Sequence, residues 1–225
     1  MQTSVPPIEE SALALSTFRV DAGAELSTTE GEGDTLFYAF SGEGSLRVEA
    51  QTFELHAGSA ALVLAGEKAT FAARSELAVF RATVDPAADR HAPLGPRETV
   101  VRLESADAQR ATGARSFQLL FGPHNGSTRA TLFAGFIPSS RAPWHYHLYD
   151  EIVWVPEGPG RLHIGESTED LGAGSAFRLR PREIHIVENL SVDAEMTVIG
   201  VFTPAGSPSA AYLMAGVAAE YRFSG

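Results

Sequence analysis

Residues 42–71 and 158–187 of this chain are two versions of one segment. At an offset of 116, GEGSLRVEAQTFELHAGSAALVLAGEKATF lies over GPGRLHIGESTEDLGAGSAFRLRPREIHIV without a gap, and ten of thirty positions are identical. The matches are Gly42/Gly158, Gly44/Gly160, Leu46/Leu162, Thr52/Thr168, Leu55/Leu171, a run of four from Ala57/Ala173 to Ala60/Ala176, and Glu67/Glu183. Composition alone would give roughly two. A length of 225 residues suits one large domain or two small ones, and the repeat decides for two copies of one module.

The patterning says what kind of module this is. Apolar runs of four to eight residues recur at 36–40, 60–64, 77–84, 99–103, 117–121, 131–137, 152–156, 176–179 and 196–202, separated by Gly, Pro, Ser or Asp. Short strands at such spacing predict a sandwich or barrel, with 21 glycines to supply the turns. The stretch 85–96, DPAADRHAPLGP, reads as a linker, so the expected domains are 1–90 and 91–225. One segment differs: over 209–221, Tyr212, Leu213, Ala215, Val217 and Ala218 recur near helical period behind Pro208, predicting a short C-terminal helix.

Charge and composition exclude several functions. With 28 acidic and 17 basic side chains the net charge is −11, against a nucleic-acid partner, which needs clustered Lys and Arg. No apolar run approaches the ~20 residues of a membrane span. The first ten residues have neither a basic region nor an apolar stretch, so a cytoplasmic protein without a secretory signal is expected. There is no cysteine, hence no disulfide, thiolate nucleophile or Cys-ligated metal. A metal here must be held by His, Asp or Glu.

Three of the seven histidines stand in a telling order. His145 and His147 are two apart, on one face of a strand, Glu151 follows four residues later, and His185 sits in an apolar strand pattern farther on. Three neutral imidazoles and a carboxylate suit one divalent transition metal (Fe, Mn, Ni, Zn, Co or Cu), with one or two positions left open. A His pair on a β surface is more often simply exposed, so the spacing needs its context. His56 and His163 read as surface strand residues, His91 as a solvated linker residue, and His124 as part of the turn FGPHNGST, whose Pro123, Asn125 and Gly126 are explained by turn chemistry alone, although the turn could approach the barrel mouth. Trp144 and Tyr146 alternate with the two histidines and should point away from them into packing contacts. Arg178 and Arg180 fall on the outward parity and read as exposed.

That context is a resemblance to the cupin superfamily. Its first motif, G-x5-H-x-H-x3,4-E-x6-G, is matched by His145, His147, Glu151 and Gly158, with Ser139 at the leading glycine. Its second, G-x5-P-x-G-x2-H-x3-N, is matched in spacing by Gly174, His185 and Asn189, with Arg180 in place of proline and Arg182 in place of a glycine that often has positive φ. The resemblance implies an all-β fold of two tandem cupin barrels (double-stranded β-helix or jelly roll), a bicupin. It gives His145, His147, Glu151 and His185 as ligands of one metal. The first copy places Thr29, Gly31, Thr35 and Ala69 at those four positions, so it is expected to be a degenerate module without metal. On the metal-facing parity lie Val153, Val155, Phe177, Leu179 and Val187, an apolar lining suited to an aromatic or enol-type substrate that chelates the metal.

The implied function is a metal-dependent oxidoreductase of the dioxygenase type acting on a small organic substrate. The alternatives are a non-oxidative isomerase or lyase, and a small-ligand-binding cupin without catalysis. The expected partner is a small-molecule substrate rather than nucleic acid or membrane. A homodimer paired through strand edges is one expectation; the other is that the two modules of one chain pack on each other.

Overall fold

A computed structural model describes residues 11–29, 31–111, 114–139 and 141–213, which form two antiparallel barrels. The first contains β1 (Leu13–Val20), β2 (Glu25–Thr29), β3 (Thr35–Ser41), β4 (Glu43–Val48), β5 (Gln51–His56), β6 (Ser59–Val63), β7 (Lys68–Ala73), β8 (Leu77–Val84) and β9 (Val100–Arg102). Its sheets run β1-β8-β3-β6-β9 and β2-β7-β4-β5. The second contains β10 (Ala108–Arg110), β11 (Ser116–Phe121), β12 (Thr131–Ile137), β13 (His145–His147), β14 (Asp150–Trp154), β15 (Gly160–Ile164), β16 (Ser167–Leu171), β17 (Ala176–Leu179), β18 (His185–Asn189), β19 (Met196–Thr203) and β20 (Ala211–Leu213). Its sheets run β10-β11-β12-β19-β14-β17 and β16-β15-β18-β13-β20. The 116-residue repeat is a repeat of strands: it lays β3 to β7 over β14 to β18 in order.

The two barrels pack through their larger sheets, which makes four layers. Leu13, Leu36, Leu62, Phe80 and Val84 of the first meet Leu120, Leu132, Ile152, Trp154, Ile199 and Val201 of the second in one buried cluster. Trp154 anchors this interface, with Phe40 at 4.7 Å and Phe80 at 5.7 Å between ring centroids. Both faces of these inner sheets are covered, which is why β3, β6 and β19 read as continuous apolar runs. The outer strand β4 keeps the alternation of a half-solvated sheet. The two modules of one chain thus pack on each other, sheet face to sheet face.

What fills each barrel differs. In the first, Phe18, Phe37 and Phe71 meet edge to face at 5.1–6.3 Å, surrounded by Leu46, Val63, Ala69 and Val79. At the repeat offset, Phe37 falls on Val153 and Phe71 on Val187. Two large rings stand here in place of two valines and help fill the first interior, and Thr35 and Ala69, at two of the four motif positions, are fully buried.

Two local expectations change. Residues 211–213 form β20, where the start of a helix was expected over 209–221, and the remainder of that segment lies outside the described residues. Helical period yields there because β13 offers unpaired main-chain groups, which Ala211, Tyr212 and Leu213 satisfy, with Tyr212 stacked on Tyr146 at 5.3 Å. Arg182, at the family's glycine position, does take the left-handed conformation, φ 66°. Its N–H donates to the His147 carbonyl at 2.7 Å, so the turn is retained despite its side chain. Among the described residues no helix is long and apolar enough to cross a membrane.

A buried ion pair joins the barrels: Arg129 Nη1 lies 3.3 Å from Asp34 Oδ2, and Arg129 Nη2 also donates to the Pro86 carbonyl at 3.0 Å. Arg129→Met would leave the Asp34 carboxylate buried without its cation, a loss of about 3 kcal/mol. Urea unfolding of wild type and variant measures this, and an unchanged midpoint would show that the pair contributes nothing.

Candidate metal centre

Alternation along the short strand β13 aims His145 and His147 inward, 6% and 2% exposed, and turns Tyr146 outward onto Tyr212. β18 pairs with β13 in a register that sets His185 opposite His145. The His185 ring therefore lies 4.4 Å from that of His145 and 5.0 Å from that of His147. Glu151 enters from β14, in the facing sheet, with Oε2 at 2.9 Å from His147 Nε2. The four side chains named from the sequence meet in the space between two sheets.

The main chain sets the tautomer of all three rings. Nδ1 of His145 lies 2.9 Å from the Pro143 carbonyl, that of His147 3.0 Å from the Tyr149 carbonyl, and that of His185 2.8 Å from the Glu183 carbonyl. A carbonyl only accepts, so each Nδ1 carries the proton and each Nε2 keeps its lone pair. The Nε2 of His147 is buried and lacks a hydrogen bond, because its short approach to Glu151 is not in hydrogen-bonding geometry. Burial, then the Arg115 charge, hold His145 down at about 4, and burial, then the His145 charge, hold His185 well below the ordinary 6.5. Both rings are therefore neutral at pH 7, the form that ligates. Among the described residues no three His, Asp or Glu groups already stand as a closed metal site. The donor set fits a metal in its chemistry, with orphaned Nε2 and neutral imidazoles beside a carboxylate, rather than in a finished coordination shell.

Around these side chains lies a cavity of about 90 Å³. Val153, Leu179 and Val187 line it, as do Phe117, Phe133, Tyr149, Arg115, Pro208 and Ala211. Val155 and Phe177 do not; they are packed in the apolar core farther along the same sheet. Arg115 and Phe117 come from β11 and its approach, outside both motifs, where nothing in the sequence marks them. Gly200 was legible: a glycine within the apolar run of β19 signals a close approach. A Cβ there would come within 2.3 Å of Phe133 and 2.9 Å of Glu151 Oε1, so its absence is what lets that ring and that carboxylate sit side by side.

Other sequence expectations need correction. Arg178 is not exposed; Nε and Nη2 clasp the Asp150 carboxylate at 2.7 and 3.0 Å, and Ser11 Oγ donates to Asp150 Oδ2 at 2.8 Å. The outward parity of β17 faces the first barrel, and Asp150 of the neighbouring strand β14 and Ser11, just before β1, cover Arg178 there. Arg180 is exposed. His163 is largely covered, with Nε2 at 2.8 Å from Glu188 across the β15–β18 pair. His124 is exposed and lines a separate cleft of about 930 Å³ that His91 also borders, away from the candidate centre. His56 and His91 turn Nδ1 to the neighbouring carbonyls of Ala57 and Ala92. Trp144 packs away from the site, with Arg141 over its ring at 5.8 Å.

Residues 133–202 match the cupin domain family. The matched stretch runs from within β12 to within β19 of the second barrel. The chain as a whole has the bicupin fold, as its structural neighbours show. AerE from Microcystis aeruginosa is 14% identical with a TM-score of 0.72, covering 90% of this chain and 98% of its own. A cupin 2 conserved barrel protein from Leptotrichia buccalis is 15% identical with a TM-score of 0.59, covering 90% and 87%. A single-site mutant of Bacillus subtilis oxalate decarboxylase is 14% identical with a TM-score of 0.76, covering 95% and 74%. No curated protein matches the sequence.

Two predictions follow from the geometry. His145 is held near 4 in the fold and near 6.5 when unfolded, so between those values the unfolded chain binds the extra proton. Stability of chelator-treated protein should therefore fall as pH drops from about 6.5 to about 4, by on the order of 3 kcal/mol from this residue. Melting temperature against pH, with His145→Asn as the comparison, checks it; equal slopes would refute it. Gly200→Ala should displace Phe133 or Glu151 and cost about 1–3 kcal/mol by overpacking, which thermal unfolding would read.

Proposed function

We propose that the second barrel holds one divalent first-row transition metal through His145, His147, Glu151 and His185, and that the site oxidises a small anionic organic substrate in the manner of a dioxygenase. The observation that carries this reading is the meeting of three buried imidazoles, each with its Nδ1 turned to a main-chain carbonyl so that Nε2 keeps its lone pair, beside one buried carboxylate. A metal bound there would polarise a chelating oxygen or mediate electron transfer to dioxygen.

The rest falls to the chain's own side chains. Arg115 borders the cavity and its positive charge reaches His145, His185 and Tyr149, so it favours an anion such as a carboxylate or enolate. Val153, Val187, Val198 and Ile137 keep the lining apolar and dry. About 90 Å³ admits only a small molecule or the chelating end of a larger one. Among the described residues, the lining has no carboxylate or imidazole beyond the four candidate ligands. Isomerases and lyases need a positioned general acid or base, and the remaining candidate in the lining, Tyr149, has its hydroxyl turned to the Pro208 carbonyl at 3.3 Å and its pKa raised by burial, which favours oxidation. The second reading, non-oxidative cleavage of a small acid, is favoured by Arg115 together with the likeness to oxalate decarboxylase, whose Bacillus subtilis form has Mn(II) centres.

Metal analysis and oxygen uptake test both levels. Wild type reconstituted with Fe(II) or Mn(II) should retain about one metal per chain after desalting, and His145→Ala or His147→Ala should lose most of it. Full retention in both variants would refute the ligand set. Against a panel of small carboxylates and enols, turnover should consume dioxygen and place its label in the product. Turnover without uptake would overturn the dioxygenase reading and favour the second.

A further inference from the structure

We infer that Tyr149 is a positioning residue for the metal-facing edge of His147, acting through the face of its ring. This rests on the reading of His147 as a ligand. The three residues between His147 and Glu151 have separate environments. Leu148 is exposed, and Asp150 is clasped by Arg178 and Ser11. Tyr149 turns back onto the histidine, with ring centroids 4.0 Å apart and planes within 8°.

Its main chain serves the same imidazole, because the Tyr149 carbonyl accepts from His147 Nδ1 at 3.0 Å. That bond sets the tautomer but leaves the ring free to tilt about the Nδ1 axis. The parallel phenol closes off that tilt on one side.

The phenol is itself held. Its other face stacks on Phe202 at 3.9 Å and 23°, and Phe202 packs with Phe133 and, beyond it, Phe117. Its hydroxyl donates to the Pro208 carbonyl at 3.3 Å. A column of aromatic rings thus runs from the barrel core to one imidazole. His145 and His185 are tilted against each other at 56° and have no parallel aromatic partner among the described ring contacts. Packing alone asks for bulk at position 149, whereas positioning asks for a flat face parallel to the imidazole.

Tyr149→Phe and Tyr149→Leu separate the two in the full chain, with Co(II) as the probe. Phenylalanine keeps the face and loses only the bond to Pro208, so Co(II) affinity should stay within about twofold of wild type. Leucine removes the face, so affinity should fall about tenfold or more, in the range of losses for groups that orient ligands. The visible d–d bands of bound Co(II) should shift in the leucine variant alone. Tyr149→Met fills the space without a ring and carries the same expectation, replacing leucine if that variant unfolds. Equal affinity in wild type and leucine variant would overturn the inference. So would a phenylalanine variant as weak as leucine, which would assign the effect to the hydroxyl. A wild-type chain that binds no Co(II) would instead overturn the metal reading, a result visible before any variant is made.

Discussion

Three hydrogen bonds, each from an imidazole Nδ1 to a main-chain carbonyl two residues away, are what the candidate centre depends on. They convert a buried cluster of titratable rings into three lone pairs of known direction, without any side chain being spent on the task. Burial keeps His145 and His185 neutral but would by itself leave either nitrogen protonated. The carbonyls are fixed by strand and turn geometry: Pro143 and Tyr149 flank β13, and Glu183 precedes β18 in the turn that Arg182 completes. The chemistry of the site is therefore written into the backbone around it.

The remainder of the architecture serves to keep those strands in place. The inner sheets of the two barrels cover each other, so the second barrel has an apolar floor supplied partly by Trp154, Phe40 and Phe80. β20 adds a further strand beside β13, and Asp150, clasped by Arg178, holds the entrance to β14 next to Glu151.

Much of this was legible in the residues. The 116-residue repeat gave the two modules, and the spacing of His145, His147, Glu151 and His185, read with the motif, named side chains that do converge. Parity along strands placed Val153, Leu179 and Val187 on the cavity but could not say how far along the barrel it extends, so Val155 and Phe177 were included although they lie in the packed core. Parity also failed for Arg178, because it tells which face a side chain leaves from and not what covers that face. Helical period misread 211–213, where an unpaired strand edge outweighed local preference. Arg115 had no local signal, since its place in the cavity is set by sheet order alone.

The contrast between a filled and an open interior turns on two pairs of positions, Phe37 against Val153 and Phe71 against Val187. Neither pair touches the ladder of main-chain bonds. A duplicated barrel can therefore close or open a chamber by side-chain volume alone, while its partner goes on holding the shared floor. Hollowness in such a chain is a property of residues rather than of topology.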